Sequence, residues 1–139
     1  MLLTTTGLGA AAFSAAPSGS AQDKTGSKQP IIGSGEHQYE VIHDWGELPA
    51  GHSYGNTHGV AVDAQGHIHI KHTVGKDAKI EDAVVVFDAG GKFIRSWGKQ
   101  YKGGAHGLTV SKEGGEEFYY LCDTKRHRFA KTTRDGKEF

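Results

Sequence analysis

The sequence predicts an all-β protein assembled from repeated four-stranded antiparallel units, and three observations carry that prediction. The stretch His58-Gly-Val-Ala-Val-Asp-Ala-Gln-Gly-His-Ile-His-Ile70 returns in altered form as His106-Gly-Leu-Thr-Val-Ser-Lys-Glu-Gly114, followed by Phe118-Tyr-Tyr-Leu-Cys122. Each copy opens on His-Gly, alternates apolar and polar residues as a half-buried strand must, breaks at a glycine turn and resumes as a second strand. The two openings lie 48 residues apart, a spacing typical of repeat architectures. Trp45-Gly46 precedes the first copy and Trp97-Gly98 the second. Finally, Val84–Trp97 reads as strand, glycine turn, strand, and Phe129–Lys137 repeats its Asp-Gly-Lys turn after the second copy. Four short strands per repeat make one blade of a β-propeller.

Taken in order, residues 1–21 carry no charge and end in small residues, the pattern of an export signal with cleavage after Ala21. Its weak, Gly/Thr/Ala-rich hydrophobicity resembles twin-arginine signals, and the missing basic segment places the expected true start upstream of Met1. The run falls short of the roughly 20 strongly apolar residues of a membrane span. An exported, periplasmic or extracellular bacterial protein is the expectation. Residues 22–36 are rich in Gln, Asp, Lys, Gly and Ser and are expected to be a flexible linker.

Residues 37–139 hold the repeats. A strand at about 39–45 ends on Trp45 and corresponds to the last strand of a blade, one that closes the ring with the chain's other end. Blade one, 58–97, has strands at 59–63, 67–72, 83–88 and 92–97. The charged connection 73–82 should project from its rim. Partial blade two, 106–139, has strands at 107–111, 117–122 and 128–133, and its fourth would start where the sequence stops. Two blades cannot close a propeller, which takes about four to eight. The remaining blades are therefore expected in a longer parent chain.

Bulk composition narrows the function. Lys plus Arg equals Asp plus Glu at 16 each, so no field favours nucleic acid or an anionic membrane. Cys122 is the single cysteine and cannot form an internal disulfide; its alternating neighbours predict a buried thiol. No Ser/His/Asp arrangement can be built from spacing, and no glycine loop leads from a strand into a helix to cradle phosphate.

The run His106-Gly107, Asp123, His127-Arg128, together with Asp88 through Gly98, resembles NHL repeats. Blade one departs from it, because His72 stands where blade two has Asp123. The resemblance implies a propeller, commonly six-bladed, that binds a protein or small ligand at the mouth of its channel. One branch, the peptidyl-hydroxyglycine amidating lyases, is zinc-dependent, with histidines converging on the channel. That likeness makes His58 and His106 candidate ligand-binding residues, or two of the zinc ligands, with a third from blades outside this sequence. No other cofactor is implied. Trp45, Trp97, Asp123 and His127 are structural markers of the repeat, with Asp123 expected to pair with Arg126 or Arg128. His67 and His69 share one strand face and are expected to form a solvated stripe.

Overall fold

The computed structural model describes residues 30–139. Nine strands form three antiparallel sheets: β1 (Ile31–Ser34) with β2 (His37–Glu40); β3 (Thr57–Val62), β4 (Ile68–His72), β5 (Val84–Phe87) and β6 (Phe93–Trp97); and β7 (Ala105–Glu113), β8 (Glu116–Asp123) and β9 (Arg128–Thr132). A single 3-10 turn, Lys99–Tyr101, joins the two large sheets, and the described residues contain no α-helix. The all-β class is thus observed, each large sheet follows its strands in sequence order, and no sheet closes on itself. A lone bridge, Thr132 to Glu138, lies beside β9.

Register shows that the two large sheets repeat residue by residue. Ile68 faces Phe87 and Ile70 faces Val85 in the first; Tyr119 faces Thr132 and Leu121 faces Ala130 in the second. Those four pairs are equivalent, so the two sheets share a pattern of faces. The second sheet lays Leu108, Tyr119, Leu121 and Ala130 against the first, where they meet Ala61, Val84 and Val86. Gly59 on β3 lies so close to β7 that an added Cβ would stand 2.8 Å from the Leu108 Cβ.

Residues 44–56 cover the β5 and β6 part of the first sheet's opposite face and leave Val60 and Val62 on β3 exposed. The Trp45 and Phe87 rings meet edge-on at 5.7 Å, and His52 stacks obliquely on Phe93 at 5.2 Å. Covered on both sides, β5 is buried at every position. A strand with two apolar neighbours reads as a continuous apolar run, which is what Val84-Val-Val-Phe87 is.

Two segments differ from expectation. Residues 1–21, with their signal-like pattern, lie outside the described residues, as does 22–29 of the expected linker. Within 30–36, however, Ile31–Ser34 is a strand paired with His37–Glu40. Main-chain hydrogen bonds hold this hairpin, for all its strand residues are exposed, and Gly33 (φ 93°) and Gly35 (φ 60°) shape the turn. The strand expected at 39–45 stops at Glu40, because the chain bends through Asp44 (φ 54°) and Gly46 (φ 85°). Trp45 still packs on the sheet, through its ring and not as part of a ladder.

The connection 73–82 does not project freely. Gly75 donates to the Ser53 carbonyl at 2.8 Å, Lys79 and Ile80 donate to that of Gly51, and Val74 enters the core.

Candidate functional site

The two repeat-equivalent histidines come together. His58 on β3 and His106 on β7 are both exposed, and their rings stack with centroids 4.8 Å apart and planes 21° apart. The cause is the close approach of the two strands at Gly59, which brings equivalent positions of successive repeats side by side. Such a pair offers a flat aromatic surface with ring nitrogens on its rim.

This arrangement does not fit a zinc site as it stands. Imidazole lone pairs lie in the ring plane, and nearly parallel stacked rings aim them along neighbouring directions rather than at one point. A zinc ion needs convergent donors at about 2.0–2.1 Å and at least three of them. Among the described residues, no group of three or more His, Cys, Asp or Glu side chains is placed to hold a metal ion.

Below this surface lies a polar joint that the sequence concealed. His69 is fully buried, not part of a solvated stripe, because its side of β4 faces the second sheet. Its Nε2 lies 3.0 Å from the Tyr119 hydroxyl and 3.2 Å from Asp63 Oδ2. Half-buried His67 also meets Asp63, Nδ1 to Oδ2 at 3.0 Å. Burial pushes the Asp63 carboxyl up, but bonds from the His67 backbone and from the His69 and His67 rings outweigh it and hold the pKa at about 2. Burial pushes the His69 imidazole down, against the pull of Asp63. Lys71, also fully buried, donates to the Cys122 carbonyl at 2.7 Å and sits over the Tyr101 ring. Burial lowers its pKa to about 8, opposed by Cys122 and Asp123.

His72 and Asp123, equivalent across the repeats, play one role by different chemistry. Both are buried at a strand end and both accept backbone N–H groups: His72 Nδ1 from Val74 at 3.1 Å, Asp123 Oδ1 from Arg126 at 3.2 Å. Asp123 also pairs with the Arg126 guanidinium at 2.9 Å and stands 3.7 Å from that of Arg128, as expected. His127 is exposed in the turn between β8 and β9 with φ 51°. Trp97 packs edge-on against Tyr101 and Tyr119, which places it between the sheets. Cys122, expected to be buried, is half-buried, because its side of β8 faces away from the first sheet.

A Ser/His/Asp grouping that spacing could not reveal does assemble. Ser96 Oγ donates to Asp82 Oδ2 at 2.6 Å and lies 3.1 Å from His52 Nε2. The serine is the middle member, its proton directed to the aspartate. The imidazole therefore serves as donor to the hydroxyl and does not activate it as a nucleophile. An open cleft of about 620 Å³ lies between residues 42–50 and the turn Gly90–Phe93, with Asp44, Glu47 and Lys92 on its wall.

Compared with known proteins, the chain matches no family model, no curated protein and no solved structure. No helix of the described residues is long and apolar enough to cross a membrane.

Proposed function

We propose that the chain supplies two adjacent blades of an exported NHL-type β-propeller. In this reading it binds a small ligand or protein partner where β3 and β7 meet. The observation that carries the reading is the His58–His106 stack, in which equivalent residues of successive repeats build one exposed surface. Repetition of the packing supports the architecture. The face of the second sheet that docks on the first (Leu108, Tyr119, Leu121, Ala130) corresponds in register to the face of the first sheet (Val60, Ile68, Ile70, Val85) that residues 44–56 cover at its β5 side, leaving Val60 exposed. Successive units of a propeller stack in this head-to-tail manner. The charge-free, small-residue run 1–21 supports export.

Ligand-observed NMR on the full chain tests the binding surface, using a library of small aromatic amines, amides and carboxylic acids. Binders lost in the His58→Ala, His106→Ala double variant support it. Binders that persist in that variant, through the 42–50 cleft for example, overturn it. Calorimetric titration with zinc separates the lyase-like branch, which requires stoichiometric zinc abolished by His106→Ala. Intact-mass measurement of periplasmic material checks export, and retention of residues 1–21 rejects it.

A further inference from the structure

Residues 44–56 cross the first sheet as a strap, and their hold on it is unlike the hold between the two sheets. The strap's backbone hydrogen bonds run to the 73–80 connection and not to any strand of the sheet face it covers. Its grip on the face itself consists of the rings of Trp45, His52 and Tyr54, of the His52 Nε2–Ser96 Oγ bond at 3.1 Å, and of one shared acceptor, His72 Nδ1. That nitrogen receives the Val74 N–H at 3.1 Å and the strap's Gly55 N–H at 3.5 Å, while the Tyr54 ring stands edge-on to His72 at 5.0 Å.

Two N–H groups aimed at Nδ1 require a lone pair there, so the ring is neutral and carries its proton on Nε2. Nε2 is itself buried without a partner. A second proton can arrive only at Nδ1, where it abolishes the acceptor and confronts two N–H donors head-on. Among the described residues, no carboxylate faces the ring to compensate. The groups around it are Tyr54 and His52 on the strap. Asp82 lies beyond Ser96, to which it is already bonded, and the β5 and β6 side chains on this face, Val85, Phe87 and Phe93, carry no charge. Asp44 and Glu47 lie at the strap's other end, in the cleft.

We propose that residues 44–56 form a proton-released strap, in which acidification protonates His72 and frees the strap from the first sheet, baring Phe87 and Val85. The bared surface is the repeat equivalent of the one by which the second sheet docks on the first, so release exposes a docking face already shaped for another such unit. This inference rests on the strap and its histidine alone and stands apart from the ligand-binding reading. Burial, with His52 nearby, pushes the His72 pKa down to about 4. An exposed histidine titrates near 6.5, so the opening constant rises about tenfold for each pH unit between these values as pH falls.

Hydrogen exchange of the full chain between pH 7 and pH 4.5, corrected for intrinsic rates, tests it. The expected result is a protection loss of about tenfold per pH unit in 52–56, while 116–123 in β8 keeps its protection. His72→Asn, whose Oδ1 retains the acceptor without titrating, is expected to remove the pH dependence. Strap protection that does not change with pH, an equal loss in β8, or an unaltered slope in His72→Asn overturns the proposal. Should that variant fail to fold, the His72 ring resonances of the unaltered chain decide. A midpoint below pH 5.5 supports the strap mechanism, and one at pH 6 or above overturns it.

Discussion

The two large sheets arise from one repeat yet end in different surroundings. The first is covered on both faces at β5, which has no exposed residue, while Val60 and Val62 on β3 stay exposed. The second is covered on one face only and leaves Phe129 81% exposed, with Tyr120 and Cys122 half-exposed beside it. Val84 and Phe129 are equivalent in register, as are Lys71 and Cys122, but their environments are opposite. The repeat therefore fixes the backbone and its spacing, whereas the neighbour decides what each side chain contributes. A buried lysine and histidine on β4 are tolerated because β8 offers them a carbonyl and a hydroxyl.

The largest effect expected from this contrast is at Tyr119. Its replacement by Ala removes a fully buried ring from the joint between the sheets and should cost about 3–5 kcal/mol in chemical denaturation. Phe129→Ala, on the open face, should stay within about 0.5 kcal/mol. Equal losses would show that the second sheet's outer face is buried after all.

Lys71 comes next. Its folded pKa of about 8 lies below the usual 10.5, so between those values the unfolded chain binds one more proton and stability rises with pH. From pH 8 to 10 that gain should amount to about 2 kcal/mol, and Lys71→Met should abolish it while leaving the chain at least as stable at pH 7. Thermal melts across that range measure both.

A smaller difference separates two equivalent glycines. A Cβ at Gly59 meets Leu108 backbone and Cβ atoms at 2.8 Å, whereas one at Gly107 meets the Cys122 Sγ at 3.2 Å. Gly59→Ala should force the sheets apart at a cost of about 1–3 kcal/mol. Gly107→Ala should cost less, since a half-buried thiol can rotate away. Identical losses in paired denaturation curves would mean that neither glycine marks the closest approach.

Smallest of all should be His58→Ala. An exposed ring stacked on another exposed ring contributes within about 0.5 kcal/mol, so this variant should keep its fold in chemical denaturation while removing the binding proposed for the stack.

Much of this comparison was legible beforehand, and the exceptions share a cause. Alternation and glycine turns located all seven strands of the two large sheets, since period-two burial and turn chemistry are local properties. The His58–His106 pairing followed from repeat spacing. His69 was misread because alternation says which residues share a face but not what lies against it; only the second sheet makes that face an interior. The same gap hid Cys122, whose side of β8 has no sheet against it. The His52–Ser96–Asp82 grouping spans two loops and a strand, and no spacing rule reaches across them. The hairpin at 31–40 was missed because glycines and main-chain bonds build it without burial, leaving no hydrophobic pattern to read.

The strap also has a consequence for the order in which the molecule assembles. His52 and its partner Ser96 are 44 residues apart, and the strap precedes the strands of the first sheet in the chain. On a ribosome, which releases polypeptide from its N-terminal end, Trp45 and Tyr54 emerge well before the strands they will cover exist. The hairpins β3–β4 and β5–β6 close over short loops, while the strap must wait for β6 and then close a much longer one. The first sheet is therefore finished from its own strands outward, and a segment synthesised ahead of every strand it covers is seated after them.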